Sequence, residues 1–365
     1  MPQNTLSKVQ IDSLSLVQFR NIARAEFAPS PRFNVISGRN GMGKTNLIES
    51  IYLLGALRSF RTSVRREIIS QGERDAKISA RFGQSLHGLS VEIQLGAQGR
   101  QISMDGKAVV PDGDYFRTLP MVLFHPGNME LVQGAPETRR RFLDRALFQA
   151  DAAYLQLYRQ YARALANRNT VIRRQPLDMR ALVPFDSALA KLGSQIVASR
   201  AAFTAQLSQF FEEGVLEVSG GNRGAIRYRP RVSGDEAAFL QVLDAKRQLD
   251  VDRGYTTCGP HADDLDFEVD GRSAKKYASQ GQQRTVVLAA KIAETRVLSQ
   301  RCHRMPLLLL DDVSSELDRD RNRHLFLFLS GVGGQVFITT THPDHISTSG
   351  ERADFCVTNG ALSSL

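Results

Sequence analysis

One stretch limits what this chain can fold into more than any other: Gly38-Arg39-Asn40-Gly41-Met42-Gly43-Lys44-Thr45. It satisfies the phosphate-loop pattern G-x-x-x-x-G-K-[ST] at every fixed position. The flanks agree. Phe33-Asn34-Val35-Ile36-Ser37 reads as a buried strand, and Asn46-Leu47-Ile48-Glu49-Ser50-Ile51-Tyr52-Leu53-Leu54 carries apolar residues at helical spacing. Strand, glycine loop and helix in that order are the context the motif requires. Glycine lets the backbone take positive φ and approach a ligand without a Cβ in the way. The loop amides then surround phosphate at the positive end of a helix dipole. Residues 38–45 are therefore candidates to hold ATP, with Lys44 on the β- and γ-phosphates and the Thr45 hydroxyl on magnesium.

A second feature fits the first. Leu307-Leu308-Leu309-Leu310-Asp311-Asp312 reads as an apolar strand that ends in two carboxylates. A strand end in water often looks like this. Beside a phosphate loop it supplies what the metal needs on its other side, so Asp311 is the candidate metal ligand and Asp312 the candidate base or orienter of the attacking water. Ser279-Gln280-Gly281-Gln282 opens a helical run. A hydroxyl, a glycine amide and a free helix N-terminus make an anion site, and Ser279, Gly281 and Gln282 are its candidate residues. A second phosphate-facing segment suggests a dimer in which each copy caps the other's ATP. The alternative is a plain polar cap.

Between these motifs the chain changes character. Residues 12–36 read as strands. Ile78-Ser79-Ala80-Arg81-Phe82 and Leu89-Ser90-Val91-Glu92-Ile93-Gln94-Leu95 alternate, and Asp105-Gly106 marks a tight hairpin turn. Residues 137–174 lack breakers, with Leu143, Leu147, Ala150, Tyr154, Leu157, Tyr161 and Leu165 on one helical face. Pro176 and Pro184 close that region. A second helix is expected over 187–213, a strand over 225–232, and a third helix over 235–249. The expected organisation is an α/β head split into residues 1–134 and 249–365 around a mostly helical arm at 135–248. Interrupted heptads argue against a long coiled coil.

Size and charge are compatible with this. The chain has 365 residues, enough for two domains, and a net charge of +9 that favours polyanions or serves solubility. No apolar run reaches bilayer length, the start lacks a secretory layout, and three scattered cysteines fit no metal spacing. A cytoplasmic protein without a membrane partner is expected. Leu57-Arg58-Ser59-Phe60-Arg61-Thr62-Ser63-Val64-Arg65-Arg66 sets four arginines around one aromatic residue. It is either a solvated basic turn or a segment contacting phosphate, of ATP or of a DNA backbone. Arg58, Arg61, Arg65, Arg66, Lys275 and Lys276 are the candidate DNA contacts.

Together the phosphate loop, the Ser279 motif, the Asp311-Asp312 strand end and Ser314-Ser315-Glu316-Leu317-Asp318 resemble the head of ABC-type ATPases. More narrowly, the chain resembles the RecF family of bacterial DNA replication and repair proteins. Arg20-Asn21, Arg58-Ser59-Phe60-Arg61, Glu130-Leu131-Val132, Arg139-Arg140-Arg141-Phe142-Leu143-Asp144, Gly259-Pro260-His261-Ala262-Asp263-Asp264 and Ser279-Gln280-Gly281-Gln282-Gln283-Arg284-Thr285 carry the likeness. The resemblance implies a head with a mixed sheet and an antiparallel lobe, plus a short helical arm. It implies an ATP-dependent homodimer, weak ATP hydrolysis, and binding of single-stranded, duplex and gapped DNA. It also implies action with RecO and RecR in loading RecA.

Two positions depart from the wider pattern. Ala278-Ser279-Gln280 stands where ABC proteins carry Leu-Ser-Gly, and Asp312 where many relatives use Glu. His342 falls near the switch-histidine position and is a third catalytic candidate, with Lys44 and Asp312. His125 and Gln133 are both candidates for the glutamine loop. A transporter ATPase subunit and a small-molecule kinase are the rival readings.

Overall fold

The computed structural model describes residues 6–174, 176, 178–313, 317–346, 348 and 350–365. Of the Asp-Asp strand's downstream motif, Ser314, Ser315 and Glu316 lie outside the described residues. The backbone divides into two units, Met1–Asn128 with Glu294–Leu365, and Met129–Ala293. The expected arm, 135–248, falls inside the second unit.

The first unit contains two six-stranded sheets. One runs in the order Ala361–Ser364, Arg352–Thr358, Phe33–Ser37, Val336–Thr340, Leu307–Asp311, Met121–Phe124. All neighbours are parallel except the C-terminal hairpin. Its four strands Phe33–Ser37, Val336–Thr340, Leu307–Asp311 and Met121–Phe124 are buried at every residue. That is why they read as unbroken apolar runs in the sequence.

The other sheet is antiparallel, in the order Ile22–Phe27, Ile11–Phe19, Ala76–Phe82, Ser90–Gly96, Gly99–Met104, Lys107–Ala108. Here burial alternates along the strand, as in Ala76–Phe82. The helix Lys44–Ala56 follows the phosphate loop and has ten buried residues out of 13. Its Leu47, Ile48, Ile51 and Leu54 share one core with Leu14, Ile78 and Ile93 of the antiparallel sheet and with Ile36, Leu309 and Phe337 of the parallel one. A helix packed on both sides is apolar all round.

The C-terminal hairpin was not anticipated, although its Asn359-Gly360 turn is a strong signal. Both turn residues have positive φ, 49° and 80°. Asp105 and Gly106, at 47° and 74°, form the expected turn of the same kind.

The second unit holds the helices Pro136–Ala150, Ala152–Ile172, Val183–Ser219 and Glu236–Arg253, and an antiparallel sheet of Gly224–Arg229, Asp264–Val269 and Arg272–Ser273. Three expectations need correction. Residues 137–174 are not one helix. Asp151 takes an extended conformation, and its carboxylate caps the next helix by accepting from the Ala153 N–H at 2.9 Å. The break rotates the buried face, so Leu155, Ala164 and Arg168 are buried while Leu157 and Leu165 are half-buried. Pro184 does not end a region but sits in the first turn of Val183–Ser219, where its missing N–H costs nothing.

That 37-residue helix buries two charges, Asp186 and Arg200, among Leu189, Ile196, Phe203, Leu207 and Phe211. A buried charge is tolerated only when paired and hydrogen-bonded. Fully buried Arg168 donates to Asp186 (2.6 Å), Asp250 (2.7 Å) and Thr256 (2.8 Å). Arg200 donates to both oxygens of Asp144 (3.0 Å each), to the Pro260 carbonyl (2.6 Å) and to Asp263 (3.1 Å).

The Gly259–Asp264 motif is thereby a structural keystone. Arg139 grips Asp264 with two bonds, at 2.7 and 3.0 Å. Tyr228 donates to Asp263, and Arg140 to the Asp263 carbonyl at 2.7 Å. His261 Nε2 lies 2.9 Å from the Thr256 carbonyl, which only accepts, so Nε2 carries the proton and Nδ1 accepts from Tyr161 at 2.7 Å. Burial pushes the His261 imidazole below its ordinary value of 6.5.

Candidate nucleotide-binding site

Three glycines shape the loop. Gly38 (φ 148°), Gly41 (81°) and Gly43 (118°) all occupy the region that L side chains avoid. At Gly38 a Cβ would also meet the Val357 carbonyl at 2.5 Å, and at Gly43 the Asn21 side chain at 2.8 Å. Gly43 is the N-cap of Lys44–Ala56, and no side chain caps that end. The first-turn N–H groups of a helix have no partner within the helix, and together with the helix dipole they make an anion site.

The Lys44 ammonium donates to the Gly38 carbonyl at 2.7 Å and the Arg39 carbonyl at 3.1 Å. It thus points into the curl of the loop, a place where phosphate oxygens could replace the carbonyls. Burial lowers its pKa, with Asp312 and then Asp311 acting against that shift.

The opposing carboxylate comes from the neighbouring strands. Thr45 Oγ1 donates to Asp311 Oδ1 at 2.9 Å, and so does Thr339 Oγ1, also at 2.9 Å. Thr339 faces Asp311 in the parallel register, and its hydroxyl also takes the Asp312 N–H at 2.9 Å. Burial raises the Asp311 pKa, Asp312 adds to the rise, and the two threonine hydroxyls oppose it. A hydroxyl and a carboxylate in contact, in a pocket that disfavours uncompensated negative charge, suit a hard cation such as magnesium. Among the described residues no group of three or more His, Cys, Asp or Glu could hold a metal, so phosphate and water would complete its shell. Asp312 stands just past the strand with φ 50°.

Each parallel strand delivers something to this C-terminal edge, where ligands bind in open α/β sheets. Val336–Thr340 leads to His342, whose backbone N–H donates to Thr340 Oγ1 at 3.0 Å. Met121–Phe124 leads to His125. Phe124 pairs with Leu310, which brings His125 level with Asp311. The His125 ring lies 5.2 Å from that of Phe60. Of the two glutamine-loop candidates, His125 follows the strand Met121–Phe124, and Gln133, in the second unit, donates to Gln283 at 2.8 Å.

Ser279 caps the helix Gln280–Cys302 as a reciprocal box. The Ser279 hydroxyl accepts from the Gln282 N–H (3.2 Å), and the Gln282 side chain accepts from the Ser279 N–H (2.9 Å). Ser279 is exposed.

The basic candidates fall in different settings. Arg58 is exposed. Arg61 donates to Asn46 at 2.7 Å and to Glu49 at 3.4 Å. Arg65 and Arg66 lie on an exposed turn and line a cavity of about 760 Å³ with Arg74, Gln94, Gln98 and Gln101. Lys275 reaches the Gly134 carbonyl at 2.8 Å, and Lys276 is exposed.

Sequence reasoning gave the supports no role, although Arg20-Asn21 entered the family likeness. Asn21 donates to the Met42 carbonyl (3.1 Å) and accepts from Asn46 (2.8 Å). Glu49, fully buried, receives two bonds from Arg20, at 2.9 and 2.6 Å. A lone carboxylate in an otherwise apolar helix was the available signal for Glu49, and a polar pair ending an apolar strand was the signal for Thr339.

A phosphate loop on a mixed sheet, a metal-side carboxylate on the adjacent strand and an antiparallel lobe over the loop's helix define the head of an ABC-type ATPase. Comparison with known proteins narrows this. Residues 10–360 match the model of the RecF/RecN/SMC N-terminal domain. The chain is 35% identical over 367 residues to the DNA replication and repair protein RecF of Geotalea uraniireducens, covering 97% of this chain and 100% of that one. It is 41% identical over 339 residues to the RecF of an Anaeromyxobacter species, covering 90% and 91%. A solved structure of the recombination mediator protein RecF with ATP superposes with a TM-score of 0.91, at 26% identity and full coverage of both chains. The chain belongs to the RecF family of DNA replication and repair proteins.

Proposed function

We propose that this protein binds ATP and magnesium at residues 38–45 and Asp311, pairs with a second copy, and holds DNA during replication restart and recombinational repair. The observation that carries the reading is the contact between Thr45 and Asp311, which sets the phosphate loop beside the carboxylate at the strand end. Family membership and a solved RecF–ATP relative of the same fold support it.

In this reading the loop amides and Lys44 hold the phosphates, while Thr45 and Asp311 hold magnesium. Bound there, the ion would neutralise charge that builds on the phosphates during transfer. Asp312 orients the attacking water, and His342 adds a group at the same edge. Asp312 is one methylene shorter than Glu and reaches less far, which fits slow turnover. Ser279, Gly281 and Gln282 engage the partner copy's γ-phosphate. ATP then favours the dimer because only the dimer contacts that phosphate from both sides, and only such differential binding shifts an equilibrium. Arg58, Arg61, Arg65, Arg66, Lys275 and Lys276 contact DNA phosphates. RecO and RecR act alongside, in loading RecA at gaps. Among the described residues no helix is long and apolar enough to cross a membrane.

The test is DNA binding with and without ATP over a salt series, on duplex, single strand and gapped junction. The reading predicts tighter binding with ATP and a steep fall with salt. Binding indifferent to ATP on all three substrates would refute it.

A further inference from the structure

The helix behind the phosphate loop carries one carboxylate, Glu49, whose side chain has no exposure. A carboxylate offers about four acceptor positions. Arg20 takes two of them, through Nε to Oε2 at 2.9 Å and Nη2 to Oε1 at 2.6 Å. Ser59 Oγ donates to Oε1, and Arg61 Nη1 reaches Oε2 at 3.4 Å. The four bonds are unequal. Arg20 is bidentate, short and 14% exposed, and its Nη1 is further tied to the Glu67 carbonyl at 2.6 Å. Ser59 also accepts the N–H groups of Arg61 (2.9 Å) and Thr62 (3.1 Å), so it fixes the turn on which Arg61 sits. Arg61 itself is 44% exposed and makes the longest of the four contacts.

Glu49 lies four residues after Thr45, on the same helical face. Arg61 Nη1 shares itself between Glu49 and Asn46, the residue beside Thr45. The guanidinium is therefore held at the mouth of the loop by a long contact to Glu49 and a 2.7 Å bond to the neutral Asn46 amide. An arriving phosphate oxygen offers Arg61 a short charge-assisted bond in place of a long contact to Glu49 and a bond to the neutral Asn46 amide, and charge-assisted bonds are roughly twice as strong as neutral ones. Loss of Arg61 leaves Glu49 still paired with Arg20, so departure strands no buried charge.

We infer that Glu49 is a positioning residue: with Arg20 and Ser59 locking it, the carboxylate parks Arg61 beside the phosphate loop, ready to move to a phosphate oxygen. This rests on the ATP reading above. The phosphate comes from ATP or from a DNA backbone, and the test separates them.

ATP turnover is measured for the wild-type chain, Glu49→Gln, Arg61→Ala and the double variant, each with and without duplex DNA, resolving kcat and KM. Arg61→Ala is expected to lower kcat/KM roughly tenfold, the order of one lost charge-assisted bond. Glu49→Gln is expected to fall in the same direction, and the double variant to match Arg61→Ala alone. A loss seen without DNA assigns the phosphate to ATP; a loss seen only with DNA assigns it to the nucleic acid. If Glu49→Gln instead lowers turnover by the same factor in the Arg61→Ala background, the inference is overturned, because Glu49 then acts without Arg61. Should Glu49→Gln fail to fold, Arg61→Lys decides. It keeps the charge but lacks the fixed planar geometry of the guanidinium, so wild-type kinetics there would overturn the inference too. No turnover in the wild-type chain would instead refute the ATP reading itself.

Discussion

Replacing Lys44 by alanine tests the phosphate loop at its most charged point. Lys44 makes two hydrogen bonds to neutral carbonyls, Gly38 at 2.7 Å and Arg39 at 3.1 Å. A triphosphate exchanges them for bonds to anionic oxygens. Hydrogen bonds to charged groups contribute about 1.5–3 kcal/mol each, against about 1 kcal/mol for ordinary ones. Two gained and two given up leave a net of about 1–4 kcal/mol. Each 1.4 kcal/mol is tenfold in Kd, so the variant should bind ATP roughly 5- to 700-fold more weakly. The fold should survive, because position 44 opens a helix and alanine is the best helix former. Calorimetric titration with ATP reads the affinity, and circular dichroism checks the fold. A folded variant whose Kd stays within about threefold of wild type would refute the reasoning. The ammonium would then serve only to brace the loop carbonyls.

Other consequences follow from the same geometry. Ser279→Arg removes a helix cap worth about 1 kcal/mol but leaves the loop intact, so ATP affinity should hold while ATP-dependent dimerisation in sedimentation is lost. Arg200→Met leaves Asp144 and Asp263 buried without their cation, and urea denaturation should show a loss of about 3–5 kcal/mol. His261 is held neutral, with its folded pKa below 6.5. The unfolded chain therefore takes up the proton first as pH falls. The stability His261 contributes is complete above its unfolded pKa and declines below it, by at most about 1.4 kcal/mol per pH unit. His261→Gln should flatten that part of the curve in denaturation series between pH 7 and pH 5.

How much of this was legible in the sequence depended on whether the cause was local. The phosphate loop, its strand and its helix were legible because glycine chemistry and apolar runs are written in neighbouring residues. Leu307–Asp311 and Val336–Thr340 were legible for the same reason: strands buried on both faces have no polar interruption. Asp151 was not, since a carboxylate inside a breaker-free run looks like a solvated helix position until its cap bond forms. Arg168, Asp186 and Arg200 were invisible as core residues. Each is buried only because a partner distant in sequence neutralises it, as Asp250 does for Arg168 across 82 positions. Glu49 and Thr339 were missed on the same ground, for their partners lie on other strands and turns. The Gly259–Asp264 motif stood out in sequence without a role. Its bonds to Arg139, Arg140 and Arg200 give it a structural one.

The central proposal is that one chain's phosphate loop and another's Ser279 segment make a single ATP site. Mixing two defective chains tests it directly. Lys44→Ala keeps its Ser279 segment, and Ser279→Arg keeps its phosphate loop, so together they can build one complete site out of two. Sedimentation velocity with ATP should show each variant alone as monomer and the mixture as heterodimer. A mixture that stays monomeric while the wild-type chain dimerises, or a variant that dimerises with ATP alone, would contradict the account.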